Sequence, residues 1–130
     1  MTVAVLDASA LLAMLLNEPG GEIVSAVLAE SAVSAVNLAE VVGYYARNGA
    51  SEQSIQLALG ALPVDRIPFD NNLAVKTGLL LPLTKLAGLS LGDRACLALA
   101  AQLGVRVITA DRAWQPLGAQ LGIDVELIRK

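Results

Sequence analysis

Four acidic residues stand close to points where apolar segments of the sequence give way to helical patterns: Asp7, Glu40, Asp93 and Asp111. Asp7 directly follows the apolar run Val3–Leu6, and Asp111 lies just beyond a second strand pattern, Val105–Thr109. The carboxyl ends of neighbouring parallel strands meet at one edge of a sheet, where open α/β sheets bind their ligands. Because carboxylate oxygens suit Mg²⁺ and Mn²⁺, these acids predict a divalent metal site at that edge.

The charges of the four acids favour the same prediction. Two unit negative charges about 4 Å apart repel by about 4 kcal/mol at an effective dielectric of about 20, which is a large part of a domain's stability. No lysine or arginine is adjacent to Asp7, whereas Arg94 and Arg112 follow Asp93 and Asp111. A divalent cation relieves such repulsion, and protonation of one acid is the alternative. Two hydroxyl groups at the same strand ends are candidate ligands, water holders or helix caps: those of Ser9 and Thr109.

Each acid also has an ordinary structural explanation. Asp7 and Asp111 are suitable caps for the helices that follow them. The segment Ser90–Asp93 fits a capping box, with Asp93 in the place usually taken by Glu or Gln. Glu40 fits a solvated position on a helix, beside Arg47. From the residues alone, both the metal site and the set of separate caps remain open.

The composition excludes several kinds of site. The chain has no histidine, which excludes serine–histidine–aspartate and cysteine–histidine catalysis and histidine metal ligands. A single cysteine, Cys96, leaves zinc without a ligand set and excludes an internal disulfide, which suits a reducing cytoplasm. Acid–base chemistry therefore has to use carboxylates.

The charge and hydropathy predict association with other proteins more than constitutive nucleic-acid binding. The net charge is −3 and aromatic residues are 3%, so neither a basic stripe nor a stacking platform is expected. Apolar residues are 55% and charged residues 16%, which predicts exposed apolar surface and hence a dimer or a dedicated partner. Leu79–Leu83 and Trp114 are the candidate contact surface. Ordinary core is the alternative for both, and the preferred one for Leu79–Leu83.

Strand and helix patterns alternate along the chain, which predicts an α/β fold: a three-layer α/β/α sandwich with a central, mainly parallel sheet of four to five strands. We expect one domain over residues 1–130, with no signal peptide and no membrane span. Strands are expected at Val3–Leu6, Ala32–Val36, Val105–Thr109 and Asp124–Ile128, and an edge strand at Asp65–Phe69. Helices are expected at Ala8–Leu16, Glu22–Glu30, Asn37–Asn48, 52–62, from Asn71, 91–103 and Arg112–Leu121. Ser51 and Asp70 are expected to cap the fourth and fifth helices, and Pro82 is expected to kink or end the fifth. The helix over 91–103 is apolar nearly all round and is expected to be buried.

The segments VLDASALL, SAVNLAEVV, GLSLGDRACLALA and VITADRAW, in this order and spacing, resemble a PIN domain. More narrowly, they resemble the VapC-type toxin ribonucleases of bacterial toxin–antitoxin pairs. The resemblance implies a PIN-like sandwich and assigns the metal-binding, catalytic acids to Asp7, Glu40, Asp93 and Asp111. Thr109 matches the small hydroxyl position of the family, and Ser9 is similarly placed.

By this resemblance we expect a cytoplasmic Mg²⁺- or Mn²⁺-dependent endoribonuclease, the toxin of a type II toxin–antitoxin system. Asp7 and Asp93 are expected as metal ligands, Asp111 as completing the site, and Glu40 as binding a second ion or orienting the attacking water. An RNA substrate, a cognate antitoxin and a homodimer are implied. Three arginines are candidate phosphate contacts, two of which could instead neutralise the acids they follow: Arg47, Arg94 and Arg112.

Three other classes of protein are alternatives. Two of them also place carboxylates at strand ends, and the third gives the acids no catalytic role. A receiver-like domain would need a lysine after the late strand, where Thr109 to Arg112 stand instead. A phosphatase with an aspartyl nucleophile would commonly have a second Asp at position 9, where this chain has Ser. A non-catalytic binding module would use the acids only as caps and would show no metal-linked stability.

Overall fold

In the computed structural model, which describes residues 1–129, a five-stranded sheet runs through the centre of the molecule. All of its strands are parallel, in the order β3-β2-β1-β4-β5. The strands are β1 Ala4–Leu6, β2 Ser31–Ser34, β3 Asp65–Ile67, β4 Arg106–Thr109 and β5 Val125–Leu127. The helices are α1 Ala8–Leu15, α2 Gly21–Val27, α3 Ala35–Arg47, α4 Glu52–Gly60, α5 Asn71–Leu79, α6 Leu81–Thr84, α7 Leu91–Leu103 and α8 Trp114–Leu121, with 3₁₀ turns at Leu28–Glu30 and Lys85–Ala87.

The central strand β1 separates two apolar cores. Ala4 and Leu6 pack with α1 to α4 on one face of the sheet, and Val5 packs with α5, α7 and α8 on the other. This split follows from the alternation of side chains along a strand. All three residues are fully buried, as expected for a parallel strand covered by helices on both faces. The predicted three-layer sandwich with a parallel sheet is therefore confirmed.

The register of the sheet brings the carboxyl ends of its central strands to one level. Leu6 pairs with Val33 of β2 on one side and with Ile108 of β4 on the other. Asp7, one residue further, therefore lies level with Ser34 and Thr109. The predicted neighbourhood of the first and fourth strands is confirmed, and it places Asp7 at the middle of the sheet edge.

Capping side chains set several helix starts. The third helix starts at Ala35, two residues before the predicted Asn37, because the Ser34 hydroxyl accepts a hydrogen bond from the Val36 amide and ends the strand. The predicted caps at Ser51 and Asp70 are confirmed. The predicted edge strand is also confirmed, as β3, and it ends at Ile67 directly before Pro68.

Helix α7 fits between the sheet and α5, with its residues from Ala95 to Ala100 buried. Ser90 caps it, and Gly104 ends it in the left-handed conformation with φ 69°. This burial confirms what its apolar pattern predicts. Among residues 1–129, no helix combines the length and the hydropathy that crossing a bilayer requires.

Two expectations about apolar surface are wrong. Helix α5 ends at Leu79 and Pro82 lies in the first turn of α6, so the chain bends there, as predicted. This bend leaves Leu79 69% exposed and Leu83 56% exposed, so the preferred reading of Leu79–Leu83 as core is wrong. Trp114 is fully buried in the core beneath α7, so it is not a contact surface.

Candidate active site

Asp7 is buried at the edge of the sheet, 4% exposed, and hydrogen-bond donors surround its carboxylate. Its Oδ1 accepts from the Ala10 amide at 2.8 Å and from the Ser9 hydroxyl at 2.8 Å. Its Oδ2 accepts from the Thr109 hydroxyl at 2.6 Å. Asp7 is therefore the N-cap of α1, which confirms the ordinary structural explanation for this residue. Its carboxylate is also hydrogen-bonded to Thr109 of the neighbouring strand β4.

The Ser9 and Thr109 hydroxyls join the ends of two strands. Each donates to Asp7 and accepts from the main chain after β4: Ser9 Oγ from the Ala110 amide at 2.9 Å, and Thr109 Oγ1 from the Asp111 amide at 3.0 Å. Of the roles open for these hydroxyls, the structure shows them holding Asp7 and the loop that carries Asp111.

Burial raises the pKa of Asp7 from its ordinary value of 3.8 to about 6. The hydrogen bonds from Thr109, Ala10 and Ser9 act in the opposite direction, and the negative charge of Asp93 adds a smaller increase. Desolvation is thus the main cause of the raised pKa of Asp7, and repulsion between the acids is a smaller cause than the sequence alone suggests. Within residues 1–129 the ion pairs join Arg106 to Glu126 and Arg129 to Glu18, so none of the four acids is neutralised by a side chain.

Asp93 lies in the first turn of α7 and forms the predicted capping box with Ser90. The Ser90 amide donates to Asp93 Oδ2 at 3.0 Å, and the Asp93 amide donates to the Ser90 hydroxyl at 3.2 Å. Asp93 is half-buried, and its charge reaches Asp7. It is both a helix cap and a neighbour of the buried acid.

Glu40 is exposed on α3, but its carboxylate is held in place. The Asn37 side-chain amide donates to Glu40 Oε1 at 2.8 Å and to the Gly92 carbonyl at 3.0 Å. Arg47 lies over the Tyr44 ring, 5.7 Å from its centroid, and forms no ion pair with Glu40. Neither Asn37 nor Gly92 is among the predicted site residues, although the three-residue spacing of Asn37 and Glu40 on one helix is a signal of their contact.

The Asp111 carboxylate turns toward its own loop. It is exposed, and its Oδ1 accepts from the Ala113 amide at 3.0 Å. It does not cap α8, whose N-cap is Ala113 without a side-chain hydrogen bond. Asp111 is connected to Asp7 through its main-chain amide, which donates to the Thr109 hydroxyl, and that hydroxyl donates to Asp7.

The charges of three of the four acids act on one buried thiol. Burial raises the pKa of Cys96 well above its ordinary value, and the charges of Asp7, Asp93 and Glu40 raise it further. Even so, within residues 1–129 no three acids or thiols stand close enough to hold one metal ion. The donor chemistry, all oxygen with a buried and unneutralised carboxylate, fits a hard divalent cation. The present side-chain positions bring the acids into one neighbourhood without closing a ligand shell.

The arginines are placed differently from one another. Arg94 extends to α5, where its Nη1 donates to the Thr77 carbonyl at 3.2 Å, and its Nε is buried without a partner in the described part of the chain. Arg112 is exposed. Neither forms an ion pair with the acid it follows, so their neutralising role is not seen.

One apolar groove on the surface of residues 1–129 lies away from the acids. It has a volume of about 610 Å³ and runs between α3, α4 and β3, lined by side chains that include Val42, Ile55 and Leu59. None of the four acids lines it. This groove is therefore separate from the candidate acidic site at the sheet edge.

The sequence matches the PIN domain family over residues 4–118. This match covers most of the chain, and the chain belongs to the PIN domain family. PIN-domain nucleases generally use divalent metal ions. No curated protein matches the sequence.

The fold is similar to that of chains in solved toxin–antitoxin complexes. It is similar to a chain of the DNA-bound VapBC complex from Salmonella typhimurium, with a TM-score of 0.76 and 18% identity over 98% of this chain and 99% of that one. A toxin–antitoxin complex from Klebsiella pneumoniae gives a TM-score of 0.74 and 20% identity over 96% and 97%. FitAcB from Neisseria gonorrhoeae gives a TM-score of 0.71 and 20% identity over 97% of this chain and 98% of that one. The resemblance inferred from the four sequence segments is thus confirmed.

Proposed function

We propose that this protein is a Mg²⁺- or Mn²⁺-dependent endoribonuclease and the toxin of a type II toxin–antitoxin system. The observation that carries the proposal is Asp7: a carboxylate buried at the centre of a parallel sheet edge, bound by three donor groups and neutralised by no cationic side chain among residues 1–129. Holding a carboxylate in this environment costs stability. A divalent ion offsets that cost, and PIN family membership supports the assignment.

The residues that would hold metal are Asp7, Asp93, Asp111 and Glu40. When bound, the ion would lower the pKa of a bound water and neutralise charge on the scissile phosphate. Asp93 and Asp111 each accept a main-chain amide through one carboxylate oxygen, which leaves the other oxygen of each for an ion. Ser9 and Thr109 keep Asp7 oriented throughout. Because the chain has no histidine, a histidine-type cyclising ribonuclease mechanism is excluded.

Glu40 would orient the attacking water or bind a second ion. Arg112 and Arg47 are exposed and are free to contact the RNA phosphates around the acidic site. Arg94 is the weakest of the three candidates for phosphate contact, because its guanidinium already donates to the Thr77 carbonyl.

A cognate antitoxin is the partner we propose for the acidic site. The similar solved structures are toxin–antitoxin complexes, and the site itself offers unneutralised carboxylates. An arginine or lysine of the antitoxin entering it would form charge-assisted hydrogen bonds with those carboxylates. It would thereby replace the metal and hold the toxin inactive.

The second partner we propose is another copy of this chain. Five exposed apolar side chains lie on α5, α6 and the following turn, here called the leucine patch: Val75, Leu79, Leu81, Leu83 and Leu86. The segment from Asn71 to Leu89 carries only two charged residues, Lys76 and Lys85. An identical face of a second copy would cover this patch symmetrically with few unpaired charges to bury.

The test is an Mn²⁺ titration of the purified, partner-free protein that follows thermal stability and cleavage of a structured RNA pool together. We expect Mn²⁺ to stabilise the protein and to support cleavage, and Asp7→Asn to abolish both effects while the protein stays folded. Asp124→Asn is the matched control, because this exposed aspartate lies at the opposite edge of the same sheet, before β5.

One observation favours a second candidate function, a non-catalytic binding module: Asp7 and Asp93 already cap helices, and no three acids converge in the described structure. That function predicts neither stabilisation nor cleavage with Mn²⁺. Stabilisation without cleavage would support the metal site and reject the chosen RNA pool as substrate.

A further inference from the structure

Asn37 is a buried amide whose two hydrogens are both used. It is 1% exposed, and its Nδ2 donates to Glu40 Oε1 on its own helix and to the Gly92 carbonyl on α7. A side-chain amide has only two such hydrogens. Asn37 therefore links the Glu40 carboxylate to the first turn of the helix that carries Asp93.

Gly92 supplies the other half of this contact. A Cβ placed on Gly92 would lie 2.5 Å from both Cδ and Oε1 of Glu40, far inside ordinary contact distance. The Glu40 carboxylate thus packs directly on the Cα of Gly92. Since Gly92 is not among the glycines with positive φ, a side chain at this position would disturb the close approach of the Glu40 carboxylate and not the backbone conformation.

The arrangement is poorly explained by stability alone. Asn37 Oδ1 is buried with no partner among the described residues, and a buried unsatisfied acceptor is costly. The Gly92 carbonyl lies near the start of α7, where amides and not carbonyls lack helical partners. What the contact does achieve is to hold the Glu40 carboxylate against α7.

We propose that Asn37 and Gly92 are positioning residues that form a seat for the Glu40 carboxylate, fixing it against the first turn of α7 at a set distance from Asp93. The inference rests on the proposed function, in which Glu40 orients water or binds an ion. Neither residue touches the substrate. Both act through Glu40.

The first test is Gly92→Ala, with Gly43→Ala as its matched control. Both glycines lie within helices, but a Cβ at Gly43 meets nothing within 4 Å. We expect Gly92→Ala to lower cleavage about 10- to 100-fold, as for other residues that orient metal-site ligands. Its melting temperature should be unchanged or raised, because alanine favours a helix and the flexible Glu40 side chain can move away. Gly43→Ala should leave cleavage unchanged.

The second test is a double-mutant cycle of Asn37→Ala and Glu40→Gln. If Asn37 acts through Glu40, its removal should lower cleavage by wild-type protein but add little to the loss in Glu40→Gln. If the double variant instead loses cleavage by the product of the two single-variant losses, the two residues act independently and the inference is overturned. So would full activity of Gly92→Ala, or a fall in its melting temperature that parallels its loss of activity.

A third measurement separates this inference from the proposed function. The Asn37 side-chain amide should give an NMR signal that exchanges slowly with water and that shifts in both Gly92→Ala and Glu40→Gln, whether or not the protein cuts RNA. Wild-type protein that cleaves nothing but shows this signal would refute the ribonuclease and leave the seat in place. An amide that exchanges at the solvent rate and does not shift would refute the seat.

Discussion

Asp7 is both a helix cap and a buried acid of the candidate metal site, two roles that the sequence alone presents as alternatives. Its carboxylate caps α1 through the Ala10 amide, and it also joins β1 to β4 through Thr109. A helix cap on a surface needs neither burial nor a contact from another strand. The combination fixes the orientation of the acid while removing it from water, which is what raises its pKa.

The stability of the metal-free protein should depend on the protonation of Asp7. Because its pKa rises from 3.8 to about 6 on folding, the native state holds its proton more tightly than the unfolded chain. This stabilisation is complete below the ordinary pKa and is lost as the pH rises through about 6. Relative to Asp7→Asn, wild type should lose about 3 kcal/mol of unfolding free energy over this range, measured by urea denaturation.

The Asp124→Asn variant is the reference for that experiment and should follow wild type at every pH. If the difference between wild type and Asp7→Asn stays constant from about pH 4 to about pH 7, Asp7 titrates as an exposed aspartate and the role of burial is wrong.

At the residue scale, the sequence predicts those parts of the site that local pattern determines. An apolar run that ends in an acid places Asp7, and Ser90 three residues before Asp93 predicts the capping box. The contact of Asn37 with Gly92 joins residues 55 positions apart. It depends on how α3 packs against α7, which no local pattern contains.

The segment from α5 to the turn after α6 shows how a short helix limits what the sequence predicts. Asp70 and Pro82 mark its start and its bend, and both act as predicted. Helix α6 has only four residues, too few for hydrophobic periodicity to show which side faces the core. For this reason the sequence of Leu79–Leu83 favours a place in the core, whereas Leu79 and Leu83 are exposed in the structure.

The leucine patch gives a prediction about assembly. Wild-type protein should be a dimer, and the double variant Leu81→Glu with Leu86→Glu should be a monomer, because charges would replace the apolar contact. Analytical ultracentrifugation measures the change, and the melting temperature of the isolated monomer should stay within a few degrees of that of other exposed-site variants.

Leu57→Glu is the matched control, since Leu57 is 70% exposed on α4, outside the patch. The proposed interface is wrong if the double variant remains a dimer, or if Leu57→Glu alone produces the monomer.

On the scale of the whole molecule, parallel strands collect the ends of distant segments at one edge. Alternating strands and helices are enough to predict this layout, and the two most apolar strands are neighbours as expected. The orientations of the acidic side chains are not predicted in the same way. Asp93 and Asp111 are each held by nearby amides, which satisfy a carboxylate as an ion would.

Metal binding should compete with the protonation of Asp7. We expect Mn²⁺ to raise the melting temperature more at about pH 7.5 than at about pH 5, where Asp7 is largely protonated and a poor ligand. At Mn²⁺ concentrations about 100 times the dissociation constant, the gain should be about 2.7 kcal/mol. Differential scanning calorimetry with EDTA as the blank measures it, and a gain that is equal at both pH values would argue against Asp7 as a ligand.

The order of the strands also bears on how the chain is made. Asp7 leaves the ribosome 102 residues before Thr109, which donates to its carboxylate. The central strand thus waits for β4 while those residues are made, at about 5–20 residues per second. A nascent chain that ends before Arg106 has the buried acid without the strand and hydroxyl that complete its surroundings. The acidic site consequently forms only after β4 has been made.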